Sequence, residues 1–98
     1  MTVAVQMDAE GYFTNKDDWT EALANERASE LGVQLSDEHW TVLNAARAIE
    51  AESGSSPGLR KISKRSETPI KSIYKLFPDG PAKQIAKIAG IPKPKSCL

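Results

Sequence analysis

The side chain with the most chemistry to offer is Cys97, the one thiol in the 98-residue chain. It stands in GIPKPKSCL, residues 90–98, with Lys93 and Lys95 before it and the Leu98 carboxylate after it. A thiolate, not a thiol, is the nucleophile; neighbouring lysines favour it and an adjacent carboxylate opposes it. A lone cysteine cannot close an internal disulfide, and one cysteine with one histidine, His39, is too small a set for a zinc site. Cys97 is therefore expected to be free or reactive, and no metal or other cofactor is expected. Buried structural cysteines do not usually lie one residue from a chain end.

The proline spacing says how such a thiol would be held. Pro92 and Pro94 fix their own φ and push Ile91 and Lys93 out of the helical region, so residues 91–95 are expected to be extended. At about 3.1 Å per residue in polyproline geometry, this arm would carry Cys97 roughly 20 Å beyond the last helix.

Other chemistry is sparse. The glycines at 11, 32, 54, 58, 80 and 90 punctuate elements and build no phosphate loop. His39 falls near a helix start, where packing or capping is the ordinary role. Trp19 and Trp40 fall at helical positions and belong with a core. The segment LRKISKRSETPIKSIYKLF, residues 59–77, reads as two short basic helices around a polar turn. It would turn Arg60, Lys61, Lys64, Arg65, Lys71 and Lys75 outward, which suits either a solvated face or a helix-turn-helix approach to DNA.

The elements that must position these groups are mostly helices. Asn15 or Asp17 could cap a first helix through Trp19, Leu23 and Leu31, with Gly32 stopping it. Ser36 caps a second, in which His39, Val42, Leu43, Ala46 and Ile49 fall on one face before Gly54. Ser56-Pro57 and Thr68-Pro69 each place a cap before a proline, opening two short helices, and Pro78 ends the second. Pro81 opens a last helix whose Ala82, Ile85 and Ala89 share a face, and Gly90 closes it. At the other end Val3, Val5 and Met7, a turn over residues 8–11 and then Tyr12-Phe13 suggest a small β-hairpin, which would need helices to lie against.

The predicted fold is mainly α: an orthogonal bundle of about five helices with an N-terminal β-hairpin, residues 1–90, followed by an extended C-terminal arm, residues 91–98. The zero net charge conceals a division. Residues 1–52 carry eleven Asp or Glu against three Lys or Arg, and residues 53–98 carry two against ten, so the halves stand near −8 and +8. Either the halves attract each other within the fold, or the basic half meets an acidic partner or nucleic acid. No apolar run approaches a membrane span and no charged-then-apolar leader is seen at residues 1–5, so a cytoplasmic protein is expected.

Four blocks, DAEGYFTNKDDWTEALA, LSDEHWTVLNAAR, SPGLRKISK and IYKLFPDGPAKQIAKIAGIPKPKSCL, resemble in the same order the TusE/DsrC family of small sulfur-relay proteins. The resemblance implies a sulfur carrier whose terminal cysteine takes up and hands on sulfur as a persulfide, acting as a protein substrate of a relay rather than as a stand-alone catalyst. Its partners would be a sulfur-donor relay protein and a downstream acceptor, either a tRNA-thiolating enzyme or a sulfite-reductase-type enzyme. Arg60, Lys64, Lys93 and Lys95 would support the persulfide anion. The second cysteine that DsrC carries upstream in its tail falls at Ala86 here, so the two-cysteine redox cycle is absent. The stretch between Arg60 and Tyr74 is shorter than in the family, and Lys61 and Ser63 are more polar than that region usually is. The alternative is a single-cysteine regulatory or accessory protein that binds DNA through residues 59–77, with Lys61, Arg65, Lys71 and Lys75 on the nucleic-acid face.

Overall fold

The computed structural model describes residues 12–13 and 19–92. Five helices follow in order: α1 Glu21–Glu30, α2 Asp37–Ser53, α3 Leu59–Ser66, α4 Ile70–Leu76 and α5 Pro81–Ala89.

The longest helix, α2, organises the rest. Ser36 is extended at its N-terminus, its N–H donating to His39 Nδ1 at 3.1 Å, while Asp37 and Glu38 place negative charge in the first turn. Gly54 ends the helix in the left-handed region, φ 79°, and its N–H donates to the Glu50 carbonyl. The face written by the spacing of His39, Val42, Leu43, Ala46 and Ile49 is buried along its length. Against α2 pack α3, α4 and α5; α1 lies on α5, and α4 touches both α3 and α5. One apolar cluster includes Tyr12, Ala28, Leu43, Ile62, Ile73 and Ile85, residues drawn from every helix and from the N-terminal side.

Helix α1 is weakly amphipathic: its buried face is only Ala24 and Ala28. Small side chains let it lie close on α5, whose own buried residues include Ala82, Ala86 and Ala89.

Several boundaries differ from expectation. The cap of α1 is Thr20, whose Oγ1 accepts the Leu23 N–H at 3.2 Å, so neither Asn15 nor Asp17 starts the helix and Trp19 precedes it. Helix α3 begins at Leu59 behind an extended Gly58; Ser56 does not cap it, because its hydroxyl donates instead to the Pro92 carbonyl. Pro69 is the cap residue of α4 rather than its first helical residue, accepting the Ile73 N–H through its carbonyl. Between α3 and α4, Glu67 takes a left-handed φ of 55° and the Ser63 hydroxyl donates to the Thr68 carbonyl at 2.6 Å. Of the expected hairpin only Tyr12 and Phe13 are described: both are buried and Phe13 makes a single bridge, so the hairpin is not shown. Val3, Val5, Met7 and the turn at 8–11 lie outside the described residues. No helix among the described residues is long and apolar enough to cross a membrane.

Candidate functional site

Cys97, Lys93 and Lys95 lie outside the described residues, so the site is built from the point where their segment leaves the bundle. Helix α5 ends at Gly90, φ 71°, and the N–H groups of both Gly90 and Ile91 donate to the Ala86 carbonyl. Ile91 turns back into the core, 2% exposed, which seals the last turn with an apolar contact.

That arrangement leaves carbonyls at the end of α5 in need of donors. Two side chains from far earlier in the chain supply them. The Trp19 indole Nε1–H donates to the Ile88 carbonyl at 2.8 Å, and an Arg47 guanidinium N–H donates to the Ala89 carbonyl. The guanidinium also lies over the Trp19 ring, 3.7 Å from its centroid, while Trp19 meets Trp40 edge-on at 6.4 Å. A cation at a helix C-terminus is favoured by the helix dipole. Burial pushes the Arg47 guanidinium below its ordinary pKa and Glu50 opposes this; an arginine stays charged regardless.

The close packing explains the glycine. A Cβ at Gly90 would fall 2.4 Å from Trp19 Cδ1, so side chain and backbone conformation both exclude other residues there. Two residues on, the Ser56 hydroxyl holds the Pro92 carbonyl, fixing the outgoing chain beside the loop that leads into α3.

The expected basic residues divide into groups. Lys61, Lys64 and Arg65 come together with Ile49 around a shallow depression of about 350 Å³ between α3 and α2. Arg65 is not free there: it makes a two-pronged pair with Glu52 at 2.9 and 2.7 Å, joining the basic half of the chain to the acidic half. The pair holds the Glu52 carboxyl below its usual range and the Arg65 guanidinium above its own, chiefly through the hydrogen bonds and then through charge. Arg60 is exposed in the first turn of α3, outside the lining of that depression, and Lys71 and Lys75 are exposed on α4.

His39 does structural work. The Ser36 N–H faces Nδ1, so Nδ1 is an acceptor and Nε2 carries the hydrogen donated to the Leu76 carbonyl at 3.0 Å; the ring meets Phe77 edge-on. Ala86, the position at which the resemblance places the second cysteine of DsrC, sits within α5 and is 1% exposed. No group of three potential metal ligands occurs among the described residues. Sequence reasoning missed Arg47. Its signal was a cation inside the alanine-rich run NAARAIEA, where the acidic half has only three basic residues.

The family model described as DsrC like protein matches residues 2–98. Sulfurtransferase TusE of Sodalis glossinidius is 42% identical over 101 residues, covering 96% of this chain and 94% of the relative. Among solved structures, the DsrC of Allochromatium vinosum superposes with a TM-score of 0.82 at 35% identity, covering 96% of this chain and 90% of that one. A chain from the crystal structure of dissimilatory sulfite reductase I (DsrI) gives 0.85 at 30% identity, with 96% and 91% covered. A family match running from the second residue to the last, a relative 42% identical over nearly the whole chain and a shared fold agree, and the chain belongs to the DsrC-like family.

Proposed function

We propose that this protein carries sulfur in a relay, as a persulfide on Cys97. The observation that carries this reading is the family match through residue 98, which takes in the cysteine together with the fixed root of its segment. In the reaction the Cys97 thiolate attacks the terminal sulfur of a donor persulfide. One S–S bond forms as the donor's breaks, and the donor leaves as its own thiolate, so no outside oxidant is needed. Handing on is the same step with Cys97 as leaving group. Lys93 and Lys95 support the anion by proximity in the chain; Arg60 and Lys64 could add to this only if the tail turned back over α3.

The donor is a protein or small-molecule persulfide and the acceptor a larger sulfur-handling enzyme, in tRNA thiolation or in sulfite-type metabolism, with the cytoplasm as the expected compartment. The arm brings the sulfur to that enzyme, since two prolines leave it few conformations to lose on docking. With alanine at position 86, sulfur passes on by transfer alone, without a disulfide between two cysteines of one chain. The DNA-binding alternative is not favoured. The relatives are sulfurtransferases by name, and Arg65, one of its four contact residues, is occupied by Glu52.

Incubation with a persulfide donor, followed by intact-mass and peptide analysis, should show one added sulfur located on Cys97. The Cys97→Ser protein should gain none. A wild-type chain that takes up no sulfur from cysteine persulfide or from a charged cysteine desulfurase would overturn the proposal.

A further inference from the structure

We infer that Arg47 and Trp19 are positioning residues for sulfur transfer: by capping the end of α5 they fix the direction in which the Cys97 segment leaves the protein. The inference rests on the Cys97 reading and adds the part of the molecule that aims the thiol.

The geometry concentrates at three consecutive residues. Ile88 and Ala89 give their carbonyls to Trp19 and Arg47 respectively, and Gly90 is where a side chain would strike Trp19. Arg47 comes from the middle of α2 and Trp19 from just before α1, so the cap ties the root of the segment to two separate parts of the bundle. Trp19 packs against the core from its margin. Trp19 and Arg47 are both only partly buried, and Arg47 spends its donor and its flat face on the end of α5 and on Trp19. An ordinary helix end would leave these carbonyls to water and its last turn free to fray. Here the last turn is held by a cation, an indole and a buried Ile91, and the chain is caught again at Pro92 by Ser56.

Cys97 is the fifth residue after Pro92, a reach of at most about 17 Å when extended. Over a reach of that length, a change of direction at Gly90 alters where the sulfur can go by up to several ångströms. A diffusing reagent would not sense that displacement. A protein donor or acceptor, whose reactive sulfur lies at a fixed place in its own surface, would.

The test compares Arg47→Met, which keeps the stem and removes the charge and donors, with Arg47→Lys and with Trp19→Phe. Amide exchange at Gly90 and Ile91 should quicken about tenfold in Arg47→Met, while the amides of the middle of α2 exchange as in wild type. Alkylation of Cys97 by iodoacetamide should be unchanged. Sulfur uptake from a rhodanese charged with thiosulfate should show a KM raised about tenfold with the maximal rate retained, the pattern expected when preorganisation is lost and the chemistry is not. Arg47→Lys should recover part of the exchange protection, because an ammonium can reach the Ala89 carbonyl but cannot lie flat on the indole. Trp19→Phe should lose protection at the same two amides while still folding.

Wild-type exchange at Gly90 and Ile91 in Arg47→Met, or alkylation and protein-donor uptake falling in parallel, would overturn the inference while leaving the carrier reading intact. Failure of the wild type to take sulfur even from cysteine persulfide would instead remove the reading on which it rests.

Discussion

Gly90 carries two constraints at one residue. Its φ of 71° lies in the left-handed region, and its missing Cβ leaves the space that the Trp19 side chain fills. An L-residue there costs about 1–2 kcal/mol from the backbone before any clash is counted. Gly90→Ala should therefore lower the urea midpoint by more than Gly54→Ala. Gly54 has a similar φ of 79°, but nothing lies within 4 Å of its would-be side chain. The difference between the two substitutions chiefly reports the Trp19 contact. Equal losses at the two glycines would mean that the indole yields freely and does not define the end of α5.

At the scale of elements, the joint between α2 and α3 includes the exposed Glu52–Arg65 pair. The folded carboxyl of Glu52 is held below its usual range, so its contribution to stability is fully present above the unfolded value, about 4.3. It is lost as the pH falls through the lower folded value. Comparing wild type with Glu52→Gln, the advantage of the wild type should be constant from neutral pH down to about pH 5 and should fade below about 4. Because both partners are solvent-exposed, it should be small and should shrink in high salt. Thermal melts across pH at two ionic strengths check this. An advantage that grows on acidification would contradict the assigned pairing.

Over the whole molecule, stability and chemistry reside in different places. The core joins all five helices through residues such as Leu43, Ile62, Ile73, Phe77 and Ile85, while the thiol lies five residues beyond the last described position. Leu43→Ala empties a fully buried site in α2 and should cost about 2–5 kcal/mol, read as a lower urea midpoint in a single transition. Under conditions where that variant remains folded, Cys97 should still be alkylated and loaded with sulfur at the wild-type rate. A loss of loading without unfolding would show that the core does more than carry the segment.

What could be read from residues alone was whatever depends on near neighbours. The apolar spacing from His39 to Ile49, the glycine stops at 54 and 90, and the proline opening of α5 each act within a turn or two of helix, and all are found where periodicity placed them. Boundaries failed where a nearer cap or a distant partner took over the local signal. Thr20 caps α1 ahead of the candidates upstream, and Ser56, followed by a proline, looks like a cap until its hydroxyl is claimed by Pro92. The terminal block through Cys97 told the family but not how its root is held. That depends on hydrogen bonds spanning 69, 42 and 36 residues, from Trp19 to Ile88, Arg47 to Ala89 and Ser56 to Pro92. Partners so far apart leave no periodic trace, because they meet only after α1, α2 and α5 have packed and the orphaned carbonyls at the end of α5 have come within reach of their donors.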